Sequence, residues 1–242
     1  RGLPTTRDEE WRFTNTAPIA GATFERAPAA AVDARLVETL AFADSSAATI
    51  VVANGTVVSG ARTLPQGVTM RTIADARESD LVPVRPKSRT VFADLNQALF
   101  EDLVVIEIAP KAIVREPIHV LHITQQTQRT QHSQGGSASV LASPRLVIIA
   151  GEQSQSSIVE SYATAGNDAV FVNAATTRGS RSAAVTARST RRSFAAAGRR
   201  RSTWATSWSA RPVRTAGVSS NACAAERVAP GSRTTCERSH AS

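Results

Sequence analysis

The sequence predicts a mainly β protein: a solenoid-like core of short strands, preceded by a small α+β part and followed by a segment with too few apolar residues to build a core. Three observations carry this reading. Between residues 100 and 174 the chain is a series of short apolar runs (103–108, 112–114, 117–124, 139–142, 145–150, 157–163 and 169–174), rich in Val and Ile, whose stiff branched side chains suit a pleated surface. Each run is stopped by a turn-forming or polar stretch such as Pro110-Lys111, Arg115-Glu116, Gly151-Glu152 or Ala165-Gly166-Asn167, and no helical pattern intervenes, which argues against a doubly wound sheet. Finally, runs such as Leu103-Val104-Val105-Ile106 and Leu146-Val147-Ile148-Ile149 show no alternation, so these strands are expected to be buried on both faces, as stacked, parallel or enclosed strands are.

The preceding elements follow in order. Thr6 and Glu9 have capping-box spacing, and Asp8, Glu9 and Glu10 fall where a helix dipole favours acids. A short helix is expected there, anchored by Trp11 and Phe13 and ended by Pro18. Val32, Leu36 and Leu40 form one apolar stripe of a second helix. Asn54-Gly55 separates two apolar runs, the strongest short hairpin signal, because both turn positions need φ > 0. Residues 68–73 add a strand, and 77–89, with Pro83 and Pro86, read as a connector. Residues 90–101 form a helix capped by Thr90, with Phe92, Leu95, Leu99 and Phe100 on its buried face. Asn96 lies on the same side and must find a partner there. The organisation is therefore 1–89 as the α+β part, 90–177 as the strand core and 178–242 as a distinct segment.

Charge sets that last segment apart. The chain carries a net +8, yet residues 1–177 hold 15 Lys and Arg against 18 Asp and Glu, while residues 178–242 hold 13 Arg, no Lys and 2 Glu. The segment has five residues among Leu, Ile, Val and Phe, too few to offset the entropy of ordering, so it is expected to be disordered. Its Arg, Ala, Ser and Thr bias, with stray Trp204, Trp208, Cys223 and Cys236, is the composition a shifted reading frame of a GC-rich gene yields. A frame change near Thr177 is expected. If it occurred, the coding DNA beyond that codon, read one base forward or back, restores strand-like text. In that case the last run, 169–174, would present an unpaired apolar edge, and the product would be impaired.

The two cysteines provide neither a four-ligand zinc site nor a disulfide framework, and residues 1–177 contain none. His119 and His122 stand three apart in a strand, on opposite faces, and cannot share a metal. His132 lies in the polar segment 125–136, expected to be a mobile loop. Glu107, Glu116, Glu160 and His119 are scattered with no repeated spacing, so no catalytic, cofactor-binding or metal residue is assigned. No stretch approaches the ~20 apolar residues of a membrane span, and no leader resembles a signal peptide. A cytoplasmic protein is expected, and the initial Arg1 suggests a fragment or processed product.

Three stretches together, GLPTTRDEEWRFTNTAPIA (2–20), LNQALFEDLVVIEIAPKAIVREPIHVLHIT (95–124) and SPRLVIIAGEQSQSSIVESYA (143–163), resemble the SufB/SufD family of the SUF iron–sulphur cluster assembly machinery. The opening stretch is more similar to the SufD branch. The resemblance covers residues 2–174 and is poorest between 20 and 49 and in the Gln-rich segment. It implies a right-handed parallel β-helix core and a scaffold without enzymatic activity of its own. It further implies SufB-like and SufC-like partners, the latter an ABC-type ATPase, and an iron–sulphur cluster held only transiently in the assembled complex. The family's cluster-site groups fall beyond the matching residues, so none is placed on this chain. Other readings are the SufB paralogue, a β-solenoid acyltransferase or lyase, which would need His119, Glu160 and a third polar group to converge in one cleft, and an Arg-rich nucleic-acid binder, whose affinity would fall steeply with salt. Beyond non-specific binding by the basic segment, no nucleic-acid partner is expected.

Overall fold

A computed structural model describes residues 2–13, 15–41, 46–59, 63–76, 90–125, 139–165, 170–180, 186–195 and 203–210. The chain is mainly β with few helices, in two mixed sheets. Among the described residues the helices are α1 (Ala17–Ala20), α2 (Ala34–Leu40) and α3 (Val91–Leu99). The strands are β1 (Phe24–Arg26), β2 (Ala48–Ala53), β3 (Thr56–Ser59), β4 (Val68–Arg71), β5 (Val104–Ile108), β6 (Ile118–Gln125), β7 (Ser139–Ala142), β8 (Arg145–Ala150), β9 (Gln155–Ala165), β10 (Val170–Ser180), β11 (Thr186–Ala195) and β12 (Thr203–Ala210). One sheet has the order β1-β7-β10-β8-β5-β4, with β12 also on β10, and the other β11-β9-β6-β2-β3.

Among the described strands, pairing is parallel except at β2–β3 and β4–β5, and from β5 onward the chain alternates between the sheets as it advances. β7 and β8 run on from one another and together face β10, Val140 opposite Val170 and Arg145 opposite Ala175. Segment 1–89 contributes β1 to β4 to these same two sheets. The absence of alternation in the apolar runs is explained by burial on both sides. Val104, Ile106, Leu146 and Ile148 pack between the sheets against Ile50, Val52, Val120 and Ile158. Their neighbours Leu103, Val105, Val147 and Ile149 form a second cluster on the outer face with Phe100 and Ala76. At ~25 cal/mol per Å2, burial of such side chains is worth about 1.5–3 kcal/mol each.

Several expected elements appear as read. Asn54 and Gly55 take φ of 51° and 92° in the β2–β3 turn. Thr90 caps α3, its side chain accepting from the Ala93 N–H at 3.2 Å. Leu36 and Leu40 of α2 cover Val51, Leu121 and Ile123 on the outer face of the second sheet. Others differ. The opening helix is a 3-10 turn, Glu9–Trp11, without a side-chain cap, because the Asp8 carboxylate is taken by the Thr5 N–H at 2.7 Å. Pro18 ends nothing; it stands in the first turn of α1, where its missing N–H leaves no hydrogen bond unmade. Disorder was expected across 178–242, yet 186–195 pairs with β9 and 203–210 with β10. A ladder needs backbone N–H and C=O groups, which the preceding strands present in rows, and composition does not remove these. The Val170–Thr177 edge is thereby covered by β12 rather than left open. The connector 77–89, the Gln-rich segment beyond Gln125 with His132, and Cys223 and Cys236 lie outside the described residues.

Candidate functional site

Two polar clusters interrupt the apolar packing. The first sits between the sheets. β9 turns Ile158, Glu160 and Tyr162 inward, β6 turns Val120 and His122 inward, and β10 brings Thr176 from the opposite sheet. Glu160 is 1% exposed. Its carboxylate accepts from the Tyr162 hydroxyl at 2.8 Å and from the Thr176 hydroxyl, whose oxygen lies 3.0 Å from Oε1 and 2.8 Å from Oε2. His122 stands opposite Tyr162 in the parallel register, so their rings stack at 4.6 Å, tilted by 8°, which holds His122 Nε2 at 3.8 Å from Glu160 Oε2. A buried carboxylate persists only where donors replace its water, and two hydroxyls do so here.

The second cluster lies on the outer face of the first sheet, beneath α3. Asn96, fully buried, receives the Arg145 Nη1–H on its Oδ1 at 2.7 Å and donates to the Asn173 and Pro144 carbonyls at 2.6 and 3.2 Å. Asn173 donates in turn to the Phe92 carbonyl at 3.0 Å. The Arg145 guanidinium lies 5.4 Å over the Phe100 ring, and burial lowers its pKa to about 10, so it remains cationic near neutrality. The partner expected for Asn96 is thus three groups on β8, β10 and the turn between β7 and β8.

No family model matches the chain. It is similar to a curated protein of Synechocystis sp., an iron–sulfur cluster assembly SufBD family protein: 26% identity over 169 residues, 66% of this chain and 35% of that protein. The chain therefore spans about a third of its relative's length. The likeness is to SufB and SufD together and does not separate them.

Of the residues singled out from sequence, His119 and His122 do face opposite sides: His119 is fully buried on the outer face, where desolvation lowers its pKa to about 4. His119 and Glu160 do not converge, since Glu160 faces the interior. Glu107 pairs with Arg71 at 2.9 Å across β4–β5, and Glu116 is exposed. Among the described residues, no group of three or more His, Cys, Asp and Glu could hold a metal, and no helix is long and apolar enough to cross a membrane. The His122–Glu160–Thr176 cluster was not legible as a unit, because its members lie on three strands and meet only through strand register. Chemically it holds the groups of an acid–base set, and every member is at least nine-tenths buried.

Proposed function

We propose that this chain is a scaffold component of iron–sulphur cluster assembly, of the SufB/SufD type and closer to SufD, which acts without catalysis of its own. The likeness to the Synechocystis protein carries the reading. The alternation of parallel strands between two sheets supports it, since consecutive turns of a right-handed β-helix would give the pairing of β5, β8 and β10 on one side and β2, β6 and β9 on the other. SufD over SufB rests on the opening residues 2–20. In this reading the body presents a rigid platform to a SufB-like partner and a SufC-like ATPase in the cytoplasm, and the cluster is cargo of the assembly rather than a resident group. Co-expression with a SufB-like and a SufC-like subunit, followed by gel filtration, tests it. A complex containing the SufB-like subunit is expected. Migration of this chain alone, while the other two associate, would overturn the partner assignment.

A further inference from the structure

We propose that the Glu160 cluster and the Asn96–Arg145–Asn173 cluster are a pair of polar keys, one on each face of the first sheet, that fix the strand register which the apolar pattern leaves open. In most sheets a one-residue slip turns the apolar set to solvent and is rejected. That safeguard is absent here. β8 faces β5 with Leu146 on Val104, Val147 on Val105 and Ile148 on Ile106, and both faces are covered. A slip exchanges one branched aliphatic for another. Between β6 and β9, a two-residue slip leaves Ile118 and Val120 of β6 and Ile158 of β9 facing inward.

The polar groups do not tolerate such slips. Thr176 reaches Glu160 across the gap between the sheets only when β10 and β9 hold their present levels. A two-residue slip of β9 along β6 would break the His122–Tyr162 stack and carry Glu160 about 7 Å from Thr176 at ~3.3 Å per residue. On the other face, Asn96 contacts Arg145 of β8 and Asn173 of β10 at once, tying those two strands to α3. A buried carboxylate or guanidinium that loses its donors or acceptors is expelled from the interior far more strongly than an aliphatic is misfitted. Such groups therefore discriminate between registers that apolar packing scores alike, the role best attested for buried polar residues. This inference is independent of the proposed function.

The test is the full chain carrying Glu160→Leu, Glu160→Gln or Thr176→Val, read by urea unfolding and by 15N amide spectra. Glu160→Gln keeps an acceptor for both hydroxyls and is expected to give a single set of amide signals. Glu160→Leu is expected to fold with a urea midpoint below that of the parent, since it takes the acceptor from the Tyr162 and Thr176 hydroxyls, while amides of β6, β9 and β10 split, with the second set at about a tenth of the intensity or more. Thr176→Val is expected to split the same amides. A single set with native cross-strand contacts, such as Leu121 to Ser161, in both Glu160→Leu and Thr176→Val would overturn the proposal, as would that result in Thr176→Val alone if Glu160→Leu does not fold.

Discussion

Replacing Gly151 with alanine should be among the most damaging conservative changes in this chain. Gly151 forms the corner after β8 and lies on the corner after β5. A Cβ built on it falls 2.4 Å from Pro110 N, 2.7 Å from Ala109 C and 2.7 Å from the Ile108 carbonyl oxygen. All three are main-chain atoms, so no side chain can rotate away, and the corners must separate by about 1 Å to reach ordinary contact. Two hydrogen bonds span the junction at the clash: Gly151 N–H to the Ile108 carbonyl and Lys111 N–H to the Glu152 carbonyl, both 2.8 Å. Losing them at ~1 kcal/mol each, with ~1–3 kcal/mol of overpacking strain, gives about 3–5 kcal/mol. Urea unfolding followed by far-ultraviolet circular dichroism should show the midpoint fall with an unchanged slope. Gly2→Ala, where nothing lies within 4 Å, should leave it unmoved. A loss below ~0.5 kcal/mol in Gly151→Ala, within the range of ordinary surface changes, would refute the corner-stacking account.

Three further outcomes are expected. Asn96→Ala removes the partner of Arg145 Nη1 and of the Asn173 and Pro144 carbonyls, and should destabilise by ~3 kcal/mol or more in urea unfolding; a change under ~1 kcal/mol would contradict the buried network. Asp102→Ala takes the acceptor from the Val57, Ile73 and Leu103 N–H groups at 3.0, 3.1 and 2.8 Å and should cost about 2–4 kcal/mol, with amide exchange rising first at those three positions. His119, whose pKa burial lowers from 6.5 to about 4, is neutral in the fold while the unfolded chain takes up a proton first. Its contribution is full above pH 6.5 and falls as the pH drops toward 4, by ~3 kcal/mol in all. Denaturation series across that window should show a shallower slope in His119→Gln, and identical slopes would remove His119 as the cause.

Much of the fold was legible because the signals were local. The Asn54-Gly55 turn needs φ > 0 at both positions, and only a tight hairpin supplies that. Thr90 caps the helix that begins at Val91, and both can be seen within one turn. The unalternating runs announced burial on two faces without saying what covers each, since Phe100 and Ala76 reach the outer face only through tertiary folding. The opening segment misled because Asp8 had two possible uses: as a first-turn acid of a helix, or as an acceptor for Thr5, the use the chain makes of it. The polar clusters were half legible. Asn96 on an apolar face demanded a partner, but Arg145 and Asn173 are 49 and 77 residues away, beyond the reach of any spacing rule. The pairing of 186–195 and 203–210 was not legible because composition describes side chains, whereas a ladder uses main-chain groups.

The anchoring of the amino-terminal segment bears on how the chain acquires its shape in time. Trp11 packs on Phe92 at 5.1 Å, and Phe92 meets Phe171 edge-on at 6.1 Å, so the first aromatic contact of the chain joins a cluster completed some 160 residues later. The strand pairs are similarly distant in sequence, Ala48 with Ile118 and Ile118 with Ile158. High contact order of this kind slows folding, and during synthesis, at ~5–20 residues per second, the opening residues emerge many seconds before their seat exists. A nascent chain of this protein therefore carries Leu3, Trp11 and Ile19 exposed throughout that interval, and its greatest exposure to chaperones and proteases falls before β10 is made.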